Sequence, residues 1–216
     1  MPQIKLTDME RYAFADLAAG KDARGSKKRN ARQCIVLGAR DWLDRWFFPY
    51  IWAGRLTTSQ FKEKILSVQE KYEPRRFGLE ANGMQVLFGN LVREEALEKF
   101  GNGIKMLPIY QPTNVEKNYR IRTGFEPPLL QGRIFLRESE VEARSEIQGF
   151  PTAQTKDIID AMETVINRVA PKRPIDNQKS KEETEYASYL RSTGMPGYLI
   201  KQEMKKFKQK RMGIVN

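Results

Sequence analysis

The 216-residue chain contains no histidine and one cysteine, Cys34. Without histidine there is no Ser-His-Asp or Cys-His nucleophile pair, no histidine-ligated zinc and no imidazole general base. A single cysteine excludes an internal disulfide framework, and its place in an apolar run reads as core. No segment approaches the roughly 18 consecutive apolar residues that span a bilayer, and the amino terminus lacks an apolar signal core. The expectation is a soluble, intracellular protein with no membrane partner. A GxxxxGK[ST] phosphate loop is also missing: the nearest stretch, Gly20-Lys21, continues into Asp22, so the chain by itself is not expected to be a P-loop ATPase. Its chemistry must rest on carboxylates, lysines or a metal held by oxygen.

What is abundant is positive charge. Lys and Arg outnumber Asp and Glu by 38 to 27, a net +11 with a pI near 9.7, which favours a polyanionic partner. Residues 171–216 hold 11 Lys and Arg against 5 Asp and Glu, so a short tail carries about half of the excess. A hydrophobic share of 40% is enough for a real core.

Residues 11–18 suit an opening strand, with Tyr12 and Phe14 on one face and Asp16 near its end. A glycine- and lysine-rich loop, 20–32, leads to a second strand over 33–37, and the aromatic stretch 42–52 to a third. The aromatics there, Trp46, Phe47, Phe48, Tyr50 and Trp52, suit core packing better than base stacking. Phe61, Ile65, Val68 and Tyr72 share one face of a helix over 58–72 that ends before Pro74. The period changes inside RRFGLEANGMQVLFGNL, residues 75–91. A short strand over 75–79 gives way to a helix with Met84, Leu87, Phe88 and Leu91 on one face, Asn82 as cap and Gln85 closing a capping box. Glu80 stands at the junction. A strand over 104–110 completes the order β-β-β-α-β-α-β, a mixed sheet flanked by helices.

Residues 114–122 read as a short cationic helix, and Pro127-Pro128 keep 125–130 out of a central strand. An edge strand is expected over 132–136, a charged helix over 139–148, and a strong helix over 155–169 with Ile158, Ile159, Met162, Val165, Ile166 and Val169 on its apolar face. Pro171 and Pro174 end it. Residues 171–184 read as a polar linker, and the basic run 205–211 as a basic helix or arm.

Asp16, Glu80 and Asp157 thus stand one per element, each among apolar residues, as an oxygen-ligand Mg²⁺ or Mn²⁺ site requires. Two such ions about 4 Å apart clamp both the attacking and leaving oxygens of a phosphodiester. Asp157 would also be kept ionised by its own helix dipole. Singly, each has a plainer reading: a first-turn aspartate suits the dipole, and a strand-end carboxylate is ordinarily solvated. Asp22 and Asp160 are secondary candidates, Asp160 one helical turn from Asp157.

RYAFADLAAGKD (11–22), RRFGLEANGMQ (75–85), EKNYRIRTGFEPPLLQGRIFL (116–136) and FPTAQTKDIIDAM (150–162) occur in that order. Together they resemble the nuclease domain of the large terminase subunit of tailed bacteriophages. The resemblance covers roughly residues 11–170 and is most specific in E-x-N-G-x-Q and in K-x-x-R-I followed by G-R-I. It implies a ribonuclease-H-like α/β fold over 1–170, with 171–216 as linker and basic tail. It further implies a two-metal endonuclease cutting concatemeric DNA during genome packaging, in the cytoplasm of the infected host. Asp16, Glu80 and Asp157 correspond to the family's metal-binding acidic triad.

Lys156 stands where the family usually has the first of two adjacent aspartates. The family's amino-terminal ATPase is absent from this sequence, which implies an excised domain or a separate nuclease subunit, with a packaging ATPase and the portal as partners. Backbone contacts to double-stranded DNA are expected from the loop bearing Lys21, Lys27, Lys28 and Arg29 and from Lys117, Arg120 and Arg122. Two alternatives remain open: a junction-resolvase-like nuclease on the same fold, and a non-catalytic basic module that docks on DNA or the portal, an option that Lys156 in place of an aspartate keeps alive.

Overall fold

The computed structural model describes residues 5–17, 32–81, 84–101, 103–111, 114–172 and 186–211. The chain divides into two compact units, Met1–Pro171 and Lys172–Asn216. The first unit is built on β1 (Glu10–Asp16), β2 (Gln33–Arg40), β3 (Trp46–Gly54), β4 (Arg76–Glu80), β5 (Met106–Ile109) and β6 (Ile134–Phe135). Helix α1 (Thr58–Tyr72) joins β3 to β4, and α2 (Met84–Phe100) joins β4 to β5. Helices α3 (Lys117–Leu130), α4 (Val141–Gly149) and α5 (Asp157–Thr164) follow, and a π-helical turn, Val165–Val169, extends α5.

The six strands lie in the order β5-β4-β1-β2-β3-β6. The first three form an antiparallel meander, while β4 and β5 run parallel to β1. Alternation along each strand sorts the side chains onto two faces. Ala13, Ala15, Ile35, Leu37, Phe77 and Leu79 pack under α1 and α2; Tyr12, Phe14, Cys34 and Val36 pack under the elements after β5. A mixed sheet with an antiparallel β1-β2-β3, parallel β4 and β5 and helices on both faces is the ribonuclease-H-like α/β fold. Among the described residues no helix is long and apolar enough to cross a membrane.

Of the third-strand aromatics, Trp46 and Phe48 are core, Tyr50 and Trp52 pack half-buried against the core under α1 and α2, and Phe47 stacks on Phe135 outside both clusters. Trp46 and Phe48 are buried, Tyr12 lies 6.2 Å from Trp46, and Trp52 lies 6.0 Å from Phe61 of α1. Helix α1 opens with a capping box in which Thr57 and Gln60 exchange backbone and side-chain hydrogen bonds. At the far end of the sheet the buried Arg40 guanidinium binds Glu10 and donates to the Pro171 carbonyl, anchoring the end of this unit.

Two expectations need correction. The buried face of α2 is Phe88, Val92 and Ala96, not the stripe through Leu87 and Leu91, which are 66% and 57% exposed. A Cβ on Gly89 would lie 3.2 Å from Leu79 Cδ2 and 3.4 Å from Met106 Sδ, at or inside the close limit of van der Waals contact, so small residues let α2 lie against β4 and β5 where leucines would hold it away. The capping box at Asn82 and Gln85 falls outside the described side chains. The second correction is α3, one helix that runs through Pro127 and Pro128 to Leu130. Pro128 cannot donate to the carbonyl of Gly124, and Asn167 Nδ2 takes that place at 3.0 Å.

In the second unit, residues 186–192 form α6, and Gly197–Arg211 form α7, which carries the basic run. Gly194, with φ of 72°, turns the chain between them, and Tyr186 stacks on Phe207 at 4.5 Å. Packing of the start of one helix on the later turns of the next makes the pair an αα-hairpin.

Helix α5 and its extension lie on β1, β2 and β3, and two glycines set how closely. A Cβ on Gly38 would lie 2.8 Å from Val165 Cγ1, and one on Gly78 would lie 2.4 Å from Val169 Cγ2 with Ile109 and Phe14 at 3.1 Å. Gly78→Ala is expected to cost roughly 1–3 kcal/mol of unfolding free energy by overpacking. Gly103→Ala, where a Cβ meets nothing within 4 Å, should change it by about 0.5 kcal/mol or less. Urea titrations of the two variants check this; equal stability would mean the helix is not held at contact distance.

Candidate active site

Asp16 is the last residue of β1, and Glu80 the last of β4. These parallel neighbours are in register from Tyr12 with Arg76 to Ala15 with Leu79, so the next residues, Asp16 and Glu80, stand side by side about 4.8 Å apart along the sheet. By alternation both share the face of Phe14 and Gly78, the one α5 covers. The α5 axis runs from Asp157, at the end of β1, toward Val169 over Gly78. All three carboxylates therefore lie at the carboxyl ends of the strands, where open α/β sheets place their sites.

Electrostatics tie the cluster together. The buried Cys34 thiol, paired in register with Asp16, is pushed well above its ordinary pKa by burial and then by Asp16, Glu146 and Asp157, with Arg32 opposing. Lys117, opening α3, places Nζ 3.5 Å from Asp157 Oδ1 and 3.3 Å from Asp160 Oδ2. Burial alone would lower its pKa, but Asp160, Asp157 and Asp16 outweigh that and hold it above the ordinary lysine value. Asp157 and Asp160 thus contact one ammonium, and Asp16 acts on it electrostatically. Glu80 adjoins Asp16 by register and lines a cavity of about 140 Å³ beside α2 with Leu79, Gly89, Arg93 and Tyr110.

Among the described residues no three carboxylates close on one point. The donor set still suits a hard divalent cation in kind, being carboxylate oxygen throughout. Cations are already held there: the Lys117 ammonium at Asp157 and Asp160, Arg32 at Asp157 and Arg120 at Asp160.

The other residues read from sequence are placed as follows. Arg120 is buried, bonded to Asp160 and Gln111, with Nε 3.5 Å from Glu163; it serves carboxylates inside the fold rather than facing solvent. Arg122 is exposed and lies 3.5 Å from Glu126. Lys156 turns away from the aspartates, its Nζ donating to Asn118 Oδ1 at 3.0 Å and to the Pro151 carbonyl at 2.9 Å. Lys21, Lys27, Lys28, Arg29 and Asp22 lie outside the described residues.

Sequence reasoning missed Glu146, Glu163 and the use made of Arg32. Lys156, at the cap position of α5, makes no side-chain cap; Glu146 of α4 supplies it, Oε2 accepting from the amides of Ile158 and Ile159 at 2.9 and 3.1 Å. Arg32 then bridges Glu142, Glu146 and Asp157. The signal was present: Glu146 shares a helical face with the buried Ala143 and with Ile147. Glu163 continues the α5 stripe Asp157–Asp160–Glu163–Asn167, which meets Lys117, Arg120 and Gly124 of α3.

Burial raises the Glu163 carboxyl from 4.5 to about 7, against the pull of Arg120 and Arg168. The folded chain therefore keeps a proton that the unfolded chain releases. Its contribution to stability is fully present below 4.5 and is lost as pH rises through about 7, a loss of roughly 3 kcal/mol. Glu163→Gln should gain stability over the wild-type chain by up to about that amount between pH 5 and pH 8. Urea unfolding of both proteins across that range checks it, and a pH-independent difference would refute it.

No family model and no curated protein sequence matches the chain. Among solved structures it resembles the large terminase nuclease from thermophilic phage G20c, at a TM-score of 0.48 and 13% identity over 76% of this chain and 84% of that one. It is also similar to T. thermophilus RuvC in complex with Holliday junction substrate (TM-score 0.41, 8% identity, 72% and 90% covered). A third similar structure is the yeast mitochondrial Holliday junction resolvase Ydc2 (TM-score 0.43, 12% identity, 72% and 75% covered).

Proposed function

We propose that this chain is a metal-dependent DNA endonuclease that cuts concatemeric viral DNA during genome packaging in the host cytoplasm. The observation that carries the reading is the contact of Asp157 and Asp160 with Lys117, beside the strand ends that carry Asp16 and Glu80. Asp16, Glu80 and Asp157 would hold Mg²⁺ or Mn²⁺, with Asp160 assisting. The chemistry that two such ions supply when bound is activation of the attacking water and neutralisation of charge on the phosphodiester. The chain's own residues prepare that chemistry: Glu146 and Arg32 fix the start of α5, and Arg120 holds Asp160 from the buried side. Double-stranded DNA is bound through its backbone phosphates, with Lys21, Lys27, Lys28, Arg29 and Arg122 as candidate contacts. The second unit, rich in lysine, retains DNA or docks on a packaging ATPase or the portal.

Nicking of supercoiled plasmid should require Mn²⁺ or Mg²⁺ and stop with chelator. Asp16→Ala, Glu80→Ala and Asp157→Ala should each lower the rate by about a hundredfold or more while the circular dichroism spectrum stays folded. Full activity in Glu80→Ala would remove it from the site. A non-catalytic docking role is favoured by one observation, that Asp157 is already paired with both Lys117 and Arg32. DNA binding that weakens with salt, without nicking under any metal, would select that role. A chain ending at Pro171 should still nick with the same metal requirement, and its logarithmic salt slope should flatten by roughly 0.9 for each phosphate that the second unit no longer neutralises. Loss of nicking in that shorter chain would show that the second unit belongs to the catalytic fold.

A further inference from the structure

Three cations neutralise the acidic end of α5, and they differ in how they are held. Arg120 is buried and shared among Asp160, Gln111 and Glu163. Arg32 is tied to Glu142 and Glu146 and reaches Asp157 only at 3.6 Å. Both arginine side chains are at most 17% exposed, against 41% for Lys117, whose ion pairs among the described residues are with Asp157 and Asp160. The lysine is therefore the cation on the open side, and its release leaves the pairs of Arg32 and Arg120 in place.

The oxygens that it contacts, Asp157 Oδ1 and Asp160 Oδ2, belong to the carboxylates that would face a divalent ion. Such an ion bonds carboxylate oxygens at about 2.0–2.2 Å, whereas an ammonium stands off at hydrogen-bond distance. Both cannot occupy one set of oxygens, since two positive charges would then lie within about 4 Å of each other in a partly buried site. The lysine also accounts for the geometry: carboxylates spread around an ammonium do not converge as they do around a smaller ion, and none of the described carboxylates meet in threes.

We propose that Lys117 is the resident counter-ion of this cluster and that a divalent cation enters by displacing it, so that the lysine sets the metal affinity of the site. This rests on the reading of Asp16, Glu80 and Asp157 as metal ligands. In the metal-free protein the ammonium relieves repulsion among the carboxylates and keeps α3 against the start of α5. When the ion enters, the flexible four-carbon stem carries the ammonium toward solvent.

The test is calorimetric titration of Mn²⁺ into the full chain and into Lys117→Met, Lys117→Gln and Arg122→Gln, with thermal melting of each. Both Lys117 variants should melt lower without metal and bind Mn²⁺ about tenfold tighter, since one charge-assisted interaction no longer has to be broken. Arg122→Gln removes the same charge from an exposed position on the same helix and should shift affinity by about twofold or less. Two variants at position 117 keep the test open if one fails to fold. Unchanged or weaker affinity in the folded Lys117 variants overturns the displacement, as does an equal gain in Arg122→Gln. If the wild-type chain binds Mn²⁺ and nicks plasmid while Lys117→Met binds no tighter, only this inference fails. If none of the proteins binds Mn²⁺, the metal-dependent reading fails with it.

Discussion

The close approach of α5 to the sheet is the constraint on which the rest of the structure depends. Gly38 and Gly78 leave room for Val165 and Val169 to seat against β2 and β4, and the π-helical turn brings both valines to that face. With its far end fixed there, the helix begins over the end of β1 and the start of β2. Asp157 is thereby delivered to the end of β1, although 141 positions separate it from Asp16 in the sequence. A helix lifted by a methyl group or two would lose the packing of Ile158, Met162 and Val165 and would carry the carboxylates away from the strand ends.

That approach has an electrostatic cost. A helix buried on nearly every side takes Asp160 and Glu163 into the interior with it, and buried carboxylates need partners. Helix α3 provides them. Its Lys117, Arg120 and Gly124 face Asp157–Asp160, Glu163 and Asn167 in the same order, so the two helices run in the same direction with matched polar stripes. Asp160 is well served. Glu163 is served less well, its Oε2 lacking a hydrogen bond among the described residues, and burial raises its carboxyl to about 7. The start of α5 draws its cap from α4, through Glu146, so three consecutive helices cooperate to hold one turn of backbone at the strand ends.

Element order was legible in the chain because periodicity is a local property. The alternation of Tyr12 and Phe14, the helical spacing of Phe61, Ile65 and Val68, and the change of period around Glu80 each follow from a few neighbouring residues. Where two apolar stripes overlap, as on α2, spacing could not choose between Leu87–Leu91 and Phe88–Val92, because the choice turns on how closely Gly89 can approach Leu79. Pro127 and Pro128 look like helix breakers in sequence. They end up in a helix because Asn167, distant in the chain, takes the bond that Pro128 cannot make.

The sequence by itself determined the exclusion of histidine chemistry and disulfides, the order of strands and helices, and the three strand-end and helix-start carboxylates as candidates. These depend on composition and short-range spacing. Only the tertiary structure decided which cations face those carboxylates. Lys117, Arg120 and Arg122 look alike as a cationic run, yet one is a partly open counter-ion, one a buried partner of Asp160 and Glu163, and one a surface charge. Glu146 likewise reads as one charge among several on α4 until α5 brings its free amides to it. The physical reason is that the energy of a charge is set by burial and by neighbours within a few ångströms, and those neighbours are assembled by the fold from residues far apart in the chain.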